Sequence, residues 1–203
     1  MARIAEVRAP ASPTSKSQIA RHKRILDAAA ALGARKRIDV VQMHEVAKDA
    51  DVAIATLYRY FPSKNALFAA VFHAEISAFQ ESRRPGEDED LVDQVTGLLV
   101  GLSRHLLLRP MLAAAMFQAS SAIYVTATMD EVEPTESELG RILLRIIGAE
   151  EPNRQDLSVV RLLTHCWWGT LVSTLSGQTT PERAAADIRL AARLLLAPYP
   201  GNR

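Results

Sequence analysis

The chain has 203 residues, of which 48% are hydrophobic, and its formal net charge at pH 7 is +1. This composition is too apolar for a disordered chain and allows one large core or two small ones. The single cysteine, Cys166, excludes an internal disulfide framework and a zinc site built from several thiolates, and it fits a reducing cytoplasm.

Positive charge is concentrated in the first third of the chain. Residues 1–64 contain twelve Lys and Arg against six Asp and Glu, whereas the remaining 139 residues contain twelve against seventeen. This distribution favours an N-terminal part that binds a polyanion. Chance asymmetry of surface charge is the alternative.

Neither a signal peptide nor a membrane span is expected. The N-terminal residues lack the apolar run of a signal peptide. Residues 110–129 and 162–181 are uncharged, but Ser, Thr and Gln interrupt both, and a spanning helix needs about 20 mostly apolar residues. We therefore expect a soluble, cytoplasmic protein in which both stretches form buried helices.

Taken in chain order, the patterns predict an all-α protein of about nine helices. Residues 1–17 contain two prolines and no periodicity, which indicates a flexible basic arm. The next helix repeats apolar residues at the 3-and-4 spacing of one buried face. "MHEVAKDA" and "AIATLYRY" predict two short helices joined by a tight turn, and Pro62 ends the second.

A long fourth helix begins after Ser63, which is placed as its N-cap. "RRPGEDED" is the clearest helix breaker, and no strand or hairpin pattern follows it. The remaining helices are expected at 89–108, 110–125, 135–148, 154–176 and 181–197. The predicted organisation is an arm at 1–17, a helix-turn-helix domain at 18–64, and a helical ligand-binding and dimerisation domain at 65–203.

The three short N-terminal helices have the pattern of a helix-turn-helix. Leu57 and Phe61 repeat at four-residue spacing, so they can hold the third helix against the second. Ile54 and Ala55 at its start are slim enough to approach base edges, while hydroxyls and cations can reach phosphates. An ordinary helical corner with aromatic contacts is the alternative. The expected polar and cationic contacts include Arg21, Lys23, Thr56, Arg59, Tyr60 and Lys64.

"ILDAAAAL" followed by "MHEVAKDADVAIATLYRYFPSKNALFAAVF" resembles the DNA-binding domain of the TetR family of transcriptional regulators. The resemblance covers about residues 18–72. It implies a homodimer that sets two recognition helices on a palindromic double-stranded DNA operator. It also implies an inducer pocket in the C-terminal core and pairing of the last two helices of each subunit. Carried over by position, the implied DNA contacts are His44, Ala53, Ile54, Ala55, Thr56, Tyr58, Tyr60 and Lys64.

Two positions depart from the family pattern. Asp51 replaces the usual glycine of the turn, and Asp tolerates a left-handed conformation. Ala53 replaces the usual Ser or Thr cap, which puts a specific base contact there in doubt. "ADVAIATLYRYFPSK", "LLLRPMLAAAM" and "RLLTHCWWGTLVSTL" further resemble the branch that represses cholesterol and steroid catabolism genes. That resemblance implies a large apolar inducer or its CoA thioester.

Several C-terminal helices are apolar on more than one face, so one face can line a cavity for a small apolar ligand. Core contacts are the alternative for each side chain taken singly. The candidate lining residues are Leu98, Leu102, His105, Met111, Met116, Phe117, Ser120, Tyr124, Thr164, His165 and Trp168.

A stripe of small and apolar residues on the last two predicted helices suggests a dimer seam. Contacts within one subunit are the alternative. The stripe comprises Gly169, Leu171, Leu175, Ala184, Ile188, Ala191, Ala192 and Leu195.

Enzymatic activity finds little support in the sequence. The five histidines form no pair at helical metal-site spacing, and no glycine-rich phosphate loop is present. We therefore expect no catalytic residue, metal or cofactor, and a transcriptional repressor released by its ligand. A spatial Cys–His pair remains open, as does a helical adaptor that binds a protein partner; steep salt dependence would distinguish DNA binding from an apolar peptide contact.

Overall fold

The computed structural model describes residues 13–83, 89–127 and 133–199, and within these ranges it contains nine α-helices, one 3₁₀ turn and no strand. The all-α prediction is confirmed. The predicted arm lies mainly outside the described residues, as does most of "RRPGEDED". The helices are α1 (Lys16–Gly33), α2 (Met43–Asp49), α3 (Ile54–Tyr60), α4 (Lys64–Ser82), α5 (Leu91–Leu107), α6 (Pro110–Thr126), α7 (Glu138–Ile146), α8 (Arg154–Leu175) and α9 (Pro181–Leu196).

The first three helices form a compact corner around Ile25, Val46 and Leu57, each of which is 0% exposed. Arg24 closes the corner, because its Nε donates a hydrogen bond to the Ala50 carbonyl at 3.1 Å. Asp51 occupies the turn between α2 and α3 with a φ of 52°. The turn therefore needs the left-handed conformation that glycine adopts most easily and that Asp tolerates.

Helix α4 joins this corner to the rest of the molecule. Ser63 accepts a hydrogen bond from the Ala66 backbone N–H at 3.0 Å and caps the helix as the sequence predicts. The body of α4 packs along α6 and against α1. A Cβ at Gly33 would lie 2.6 Å from Phe68 Cε1, so glycine allows α1 to approach α4 this closely.

Helices α5 and α6 meet at 114°. Glu75 of α4 stabilises the junction between α5 and α6. Its Oε2 lies 2.8 Å from His105 Nε2 and 2.5 Å from an Arg109 guanidinium nitrogen. No single helix in the described part of the chain is long and apolar enough to cross a membrane, and only the bent pair of α5 and α6 reaches that length and composition together.

Helices α8 and α9 lie side by side and pack against α5. Trp167 is 0% exposed, and its indole N–H donates to the Leu99 carbonyl at 3.0 Å and to Ser103 Oγ at 2.8 Å. Beyond the end of α9, the Tyr199 hydroxyl donates to Asp156 Oδ1 at 2.7 Å. Burial and this carboxylate together raise the pKa of Tyr199 to about 12.

The structure corrects the predicted dimer seam. Leu171, Ile188 and Ala192 are at most 2% exposed and belong to the core of their own subunit. Ala184 is also buried, Leu175, Ala191 and Leu195 are partly buried, and Gly169 is exposed. The predicted stripe is therefore mostly the inward face, because α5 covers it. The exposed apolar side chains of α8 and α9 are instead Leu162, Val172, Leu190 and Leu194.

Candidate nucleic-acid interface and ligand cavity

One side of α3 is exposed to solvent. Ile54 and Tyr58 are 41% and 48% exposed, and Ala55 and Arg59 are exposed beside them. At 3.6 residues per turn these four positions occupy one half of the helix, while Leu57 points into the corner. The sequence-predicted arrangement of slim residues with a hydroxyl and a cation is therefore present, with Thr56 half-buried at its border.

Tyr60 does not belong to this surface. It is 3% exposed, and its ring centroid lies 5.6 Å from that of His22 in an edge-on contact. Its hydroxyl is also buried and has no hydrogen-bond partner among the described residues. The assignment of Tyr60 to the DNA-contacting residues is corrected because its i+3 spacing from Leu57 turns it inward, where it holds α3 against α1.

The predicted cations differ in what they contact. Lys64 Nζ donates to the carbonyls of Ile38 and Asp39 at 2.7 and 3.1 Å, so it fastens the segment before α2 to the start of α4. An ammonium has three donors, which leaves one available. Lys23 pairs with Asp27 at 2.8 Å on the surface, His44 is exposed, and Arg21 is half-buried.

The start of α3 lacks a side-chain cap. Ala53 is the N-cap residue, is exposed, and makes no side-chain cap hydrogen bond. The first backbone N–H groups of α3 therefore have no protein side-chain cap and remain available to an anion. This confirms the sequence-based expectation that Ala53 occupies the cap position without a cap hydroxyl.

A cavity of about 480 Å³ lies between α4, the second half of α6, the segment 133–139 and α8. Its apolar wall includes Phe72, Ile76, Trp167 and Trp168. The Phe72 and Trp167 rings are nearly parallel, with an interplanar angle of 5° and centroids 6.2 Å apart. The volume and aromatic wall are typical of a small-molecule site, for which about 300–1,000 Å³ is usual.

Five of the predicted lining residues reach this cavity, and six do not. Those that line it are Ser120, Tyr124, Thr164, His165 and Trp168. Leu98, Leu102, Met116 and Phe117 are buried core residues instead, with Phe117 placed behind Trp168 at a ring distance of 4.1 Å. His105 contacts Glu75, and Met111 is 40% exposed at the far end of α6.

Polar groups interrupt the cavity wall. Tyr124 Oη lies 3.2 Å from His165 Nε2, and Arg161 Nη1 lies 3.8 Å from Glu133 Oε1. His73 lines the cavity and is exposed to solvent there, and partial desolvation lowers the pKa of its imidazole. Arg141 donates to Glu138 at 2.7 Å and holds the pKa of that carboxyl below its usual value.

Comparison with known families decides the identity of the chain. The profile described as "Bacterial regulatory proteins, tetR family" matches residues 25–71, and "Tetracyclin repressor-like, C-terminal domain" matches residues 88–195. The chain belongs to the TetR family. The first match covers the corner that contains α3, and the second covers most of the helices that surround the cavity.

Individual TetR-family relatives are similar along nearly the whole chain. The transcriptional repressor KstR of Rhodococcus jostii (strain RHA1) is 31% identical over 183 residues, which are 90% of this chain and 86% of the relative. KstR of Mycobacterium tuberculosis (strain ATCC 25618 / H37Rv) is 32% identical over 184 residues, or 90% of this chain and 83% of the relative. The crystal structure of a TetR transcriptional regulator from Rhodococcus sp. RHA1 shares 43% identity with a TM-score of 0.74, covering 90% and 98% of the two chains.

Membership of the TetR family means that the chain is a DNA-binding transcriptional regulator and not an enzyme, as the sequence predicts. In the ranges that the structure describes, no three His, Cys, Asp or Glu side chains cluster closely enough to hold a metal ion. Cys166 is half-buried, and burial raises the pKa of its thiol, which opposes a reactive thiolate.

Sequence reasoning missed two walls of the cavity in this TetR-family protein. One is a face of α4 formed by Ala69, Phe72, His73 and Ile76, and the other is the segment 133–139. The α4 residues repeat at i, i+3, i+4 and i+7, and a histidine in that apolar row was a usable signal. The segment 133–139 offered none, because its place beside α8 depends on the tertiary fold.

Proposed function

We propose that this TetR-family chain is a homodimeric repressor that leaves a palindromic operator when a small apolar ligand enters the cavity. The observation that carries the proposal is the position of α4. Its residues Phe72 and His73 line the cavity, and its first residue, Lys64, holds the segment before α2. One helix therefore contacts both the ligand site and the DNA-binding corner.

The proposed DNA contacts begin with the exposed side of α3. Ile54 and Ala55 would lie against base edges, and Tyr58 and Arg59 would reach the backbone on either side. Arg21, Lys23, His44, Thr56 and Lys64 would add contacts around this surface, and the uncapped N–H groups after Ala53 would face a phosphate. Two subunits related by a twofold axis would then read two half-sites of a palindrome.

Ligand would act by changing the distance between the two recognition helices. The dimer would exist in two conformations, one with the recognition helices spaced to fit the operator and one with them misplaced. A ligand shifts the equilibrium between these conformations only by its difference in affinity for them, which typically amounts to about 1–3 kcal/mol. Occupation of the space beside Phe72 and Ile76 would displace α4 from α8, because both side chains form the cavity wall. The corner would follow, because Lys64 and the contacts of α4 with α1 join them.

The proposed ligand is a large apolar molecule of the steroid or acyl-CoA type. The aromatic rings of Phe72 and Trp168 provide flat apolar walls for a ring system. The resemblance of the chain to the branch that represses steroid catabolism genes supports this choice, as does its similarity to KstR repressors from two bacteria.

The proposed dimer uses the exposed faces of α8 and α9. Leu190 and Leu194 are 56% and 69% exposed and lie one turn apart on α9, while Leu162 and Val172 are 50% and 40% exposed on α8. Gly169 lies between the latter two on the same face, with open space where a Cβ would project. A second copy of the chain can therefore approach closely and bury both faces in a four-helix bundle.

The proposal can be tested by selecting bound sequences from a pool of random DNA duplexes. The full chain should select a palindrome, and steroids or CoA esters should then release it in mobility-shift titrations, whereas apolar molecules too large for the cavity should not. Binding should weaken steeply with added salt through counterion release. Failure to select any duplex, or binding that is insensitive to salt, would contradict the proposal.

A further inference from the structure

Residues 53–55, at the start of α3, form an exposed surface without polar side chains. Ala53, Ile54 and Ala55 are all exposed, and none of these side chains contains a nitrogen or oxygen atom. Leu57 and Tyr60 are at most 3% exposed and point into the corner on the other side of the helix. The start of α3 is therefore apolar on its solvent side, and two of its three side chains are small enough to let the helix approach another surface closely.

The polar side chains of α3 lie at the border of this surface or beyond it. Thr56 is half-buried at the border, and Tyr58 follows Ile54 by about one helical turn. The Arg59 guanidinium carbon lies 5.3 Å from the centroid of the Tyr60 ring, near the C-terminal end of the helix. The side chains of residues 53–55 therefore offer no hydrogen bond to a base edge, and any preference among bases at the start of α3 depends on apolar contact.

The major groove of DNA offers one apolar group to such a surface. Guanine, adenine and cytosine present hydrogen-bond donors and acceptors there, whereas thymine adds its C5-methyl group. Apolar side chains contact this methyl group, while the other bases are commonly read by hydrogen bonds from Arg, Lys, Asn or Gln or to a carboxylate. An apolar surface in the groove therefore distinguishes thymine from the other bases.

From these observations we propose that the start of α3 recognises a thymine in each half-site of the operator through its C5-methyl group. The methyl group packs against the side chain of Ile54, and the small side chains of Ala53 and Ala55 let the helix lie close enough for this contact. The inference rests on the proposed function, because it requires α3 to enter the major groove, and it adds a base that the operator must contain.

Removal of single methyl groups from the DNA tests this contact. The operator selected by the full chain is resynthesised with each thymine replaced in turn by uracil, which lacks the C5-methyl group and keeps the same base-pairing edge. Replacement of the recognised thymine should weaken binding about fourfold in one half-site and about fifteenfold in both, as expected for one buried methyl group per half-site. The analogue 5-bromouracil, whose bromine is similar in size to a methyl group, should restore the affinity.

The variant Ile54→Ala identifies the side chain that makes the contact. In mobility-shift titrations it should bind the thymine and uracil operators about equally, because the methyl group has lost its partner and the two changes are then coupled. The matched control is Tyr58→Phe, which alters an exposed residue one turn later on the same side of α3. This control should affect both operators equally and leave the ratio of their affinities unchanged.

An operator that is bound but in which no uracil replacement weakens binding would overturn this inference and leave the proposed function intact. A preference for thymine that Ile54→Ala retains would overturn it as well. The uracil scan uses the unaltered chain, so it decides the question even if thermal unfolding shows that Ile54→Ala does not fold. Failure of the chain to select any duplex would contradict the proposed function and this inference together.

Discussion

At the scale of single residues, the DNA-binding corner depends on a few backbone positions with unusual requirements. Asp51 adopts a φ of 52° in the turn, and Ala53 begins α3 without a side-chain cap. Both positions were identifiable in the sequence because their requirements are local. Lys64 and Tyr60 were not fully identifiable, since their contacts are with Ile38, Asp39 and His22 of other segments.

Replacing the cap residue tests the local argument at Ala53. We expect Ala53→Ser to raise the free energy of unfolding by about 1 kcal/mol, because its hydroxyl can accept a hydrogen bond from a free N–H of α3. Urea denaturation measures the change. The matched control is Ala55→Ser, two residues later inside the helix, which should lower stability slightly. Equal effects of both substitutions would contradict the cap assignment.

His73 gives the fold a dependence on pH. Although His73 is exposed, partial desolvation lowers the pKa of its imidazole below that of the unfolded chain, which is about 6.5. The neutral form is therefore favoured on folding, so stability is full above about pH 6.5 and falls as the pH decreases toward the folded-state pKa. Burial lowers the pKa of His22 in the same direction.

We expect His73→Gln to lose less stability than the parent chain on acidification from about pH 7.5 to about pH 5.5. Urea denaturation at the two pH values measures the difference. The double variant with His22→Gln should lose still less, because both imidazoles with a lowered pKa are then absent. A parent-like loss of stability in His73→Gln would show that this ring does not carry the effect.

At the scale of elements, we propose different roles in binding DNA for α3 and for the start of α4. Ile54 and Ala55 occupy the leading turn of α3, whereas Lys64 lies at the N-terminus of α4 and holds a neighbouring loop. Base edges carry sequence information and phosphates do not. Substitutions in the two elements should therefore change different properties of the same complex.

We expect Lys64→Ala to weaken binding to every operator sequence about equally and to reduce the salt slope by about 1, since a cation is lost from the phosphate-facing surface. Ile54→Val should instead alter which operator is preferred. Mobility-shift titrations against randomised duplexes measure both, with Arg145→Ala on the distant α7 as the control. An unchanged preference in Ile54→Val would mean that the reading face is elsewhere.

At the scale of the whole molecule, one face of α9 packs within its own subunit and the other is exposed to solvent. Ile188 is 2% exposed and packs inside the subunit, whereas Leu194 is 69% exposed on the opposite side. Large exposed apolar side chains on neighbouring helices are typical of an interface. These exposed side chains support the proposed dimer contact on the outer faces of α8 and α9, in place of the predicted stripe.

We expect Leu194→Glu to convert the dimer to a folded monomer, because a carboxylate would be buried at the subunit contact. Ile188→Glu should instead unfold the chain. Analytical ultracentrifugation and thermal unfolding distinguish the two results. The control is Leu108→Glu, since Leu108 is 79% exposed at the corner of α5 and α6 and lies outside the proposed contact. Dissociation of that control, or a dimeric Leu194→Glu, would contradict the assignment.

The all-α fold, the N-cap at Ser63 and the DNA-binding corner could be predicted from the sequence, because these depend on periodicity, prolines and turn residues close together in the chain. Which apolar faces meet depended on contacts between helices that are far apart in the chain. Met116 and Phe117 lie behind the cavity wall while Phe72 and Ile76 form it, and Ile188 faces α5 while Leu194 faces solvent. A helix that is apolar on several sides fits more than one neighbour, and the choice among them is made by long-range contacts that local periodicity does not encode.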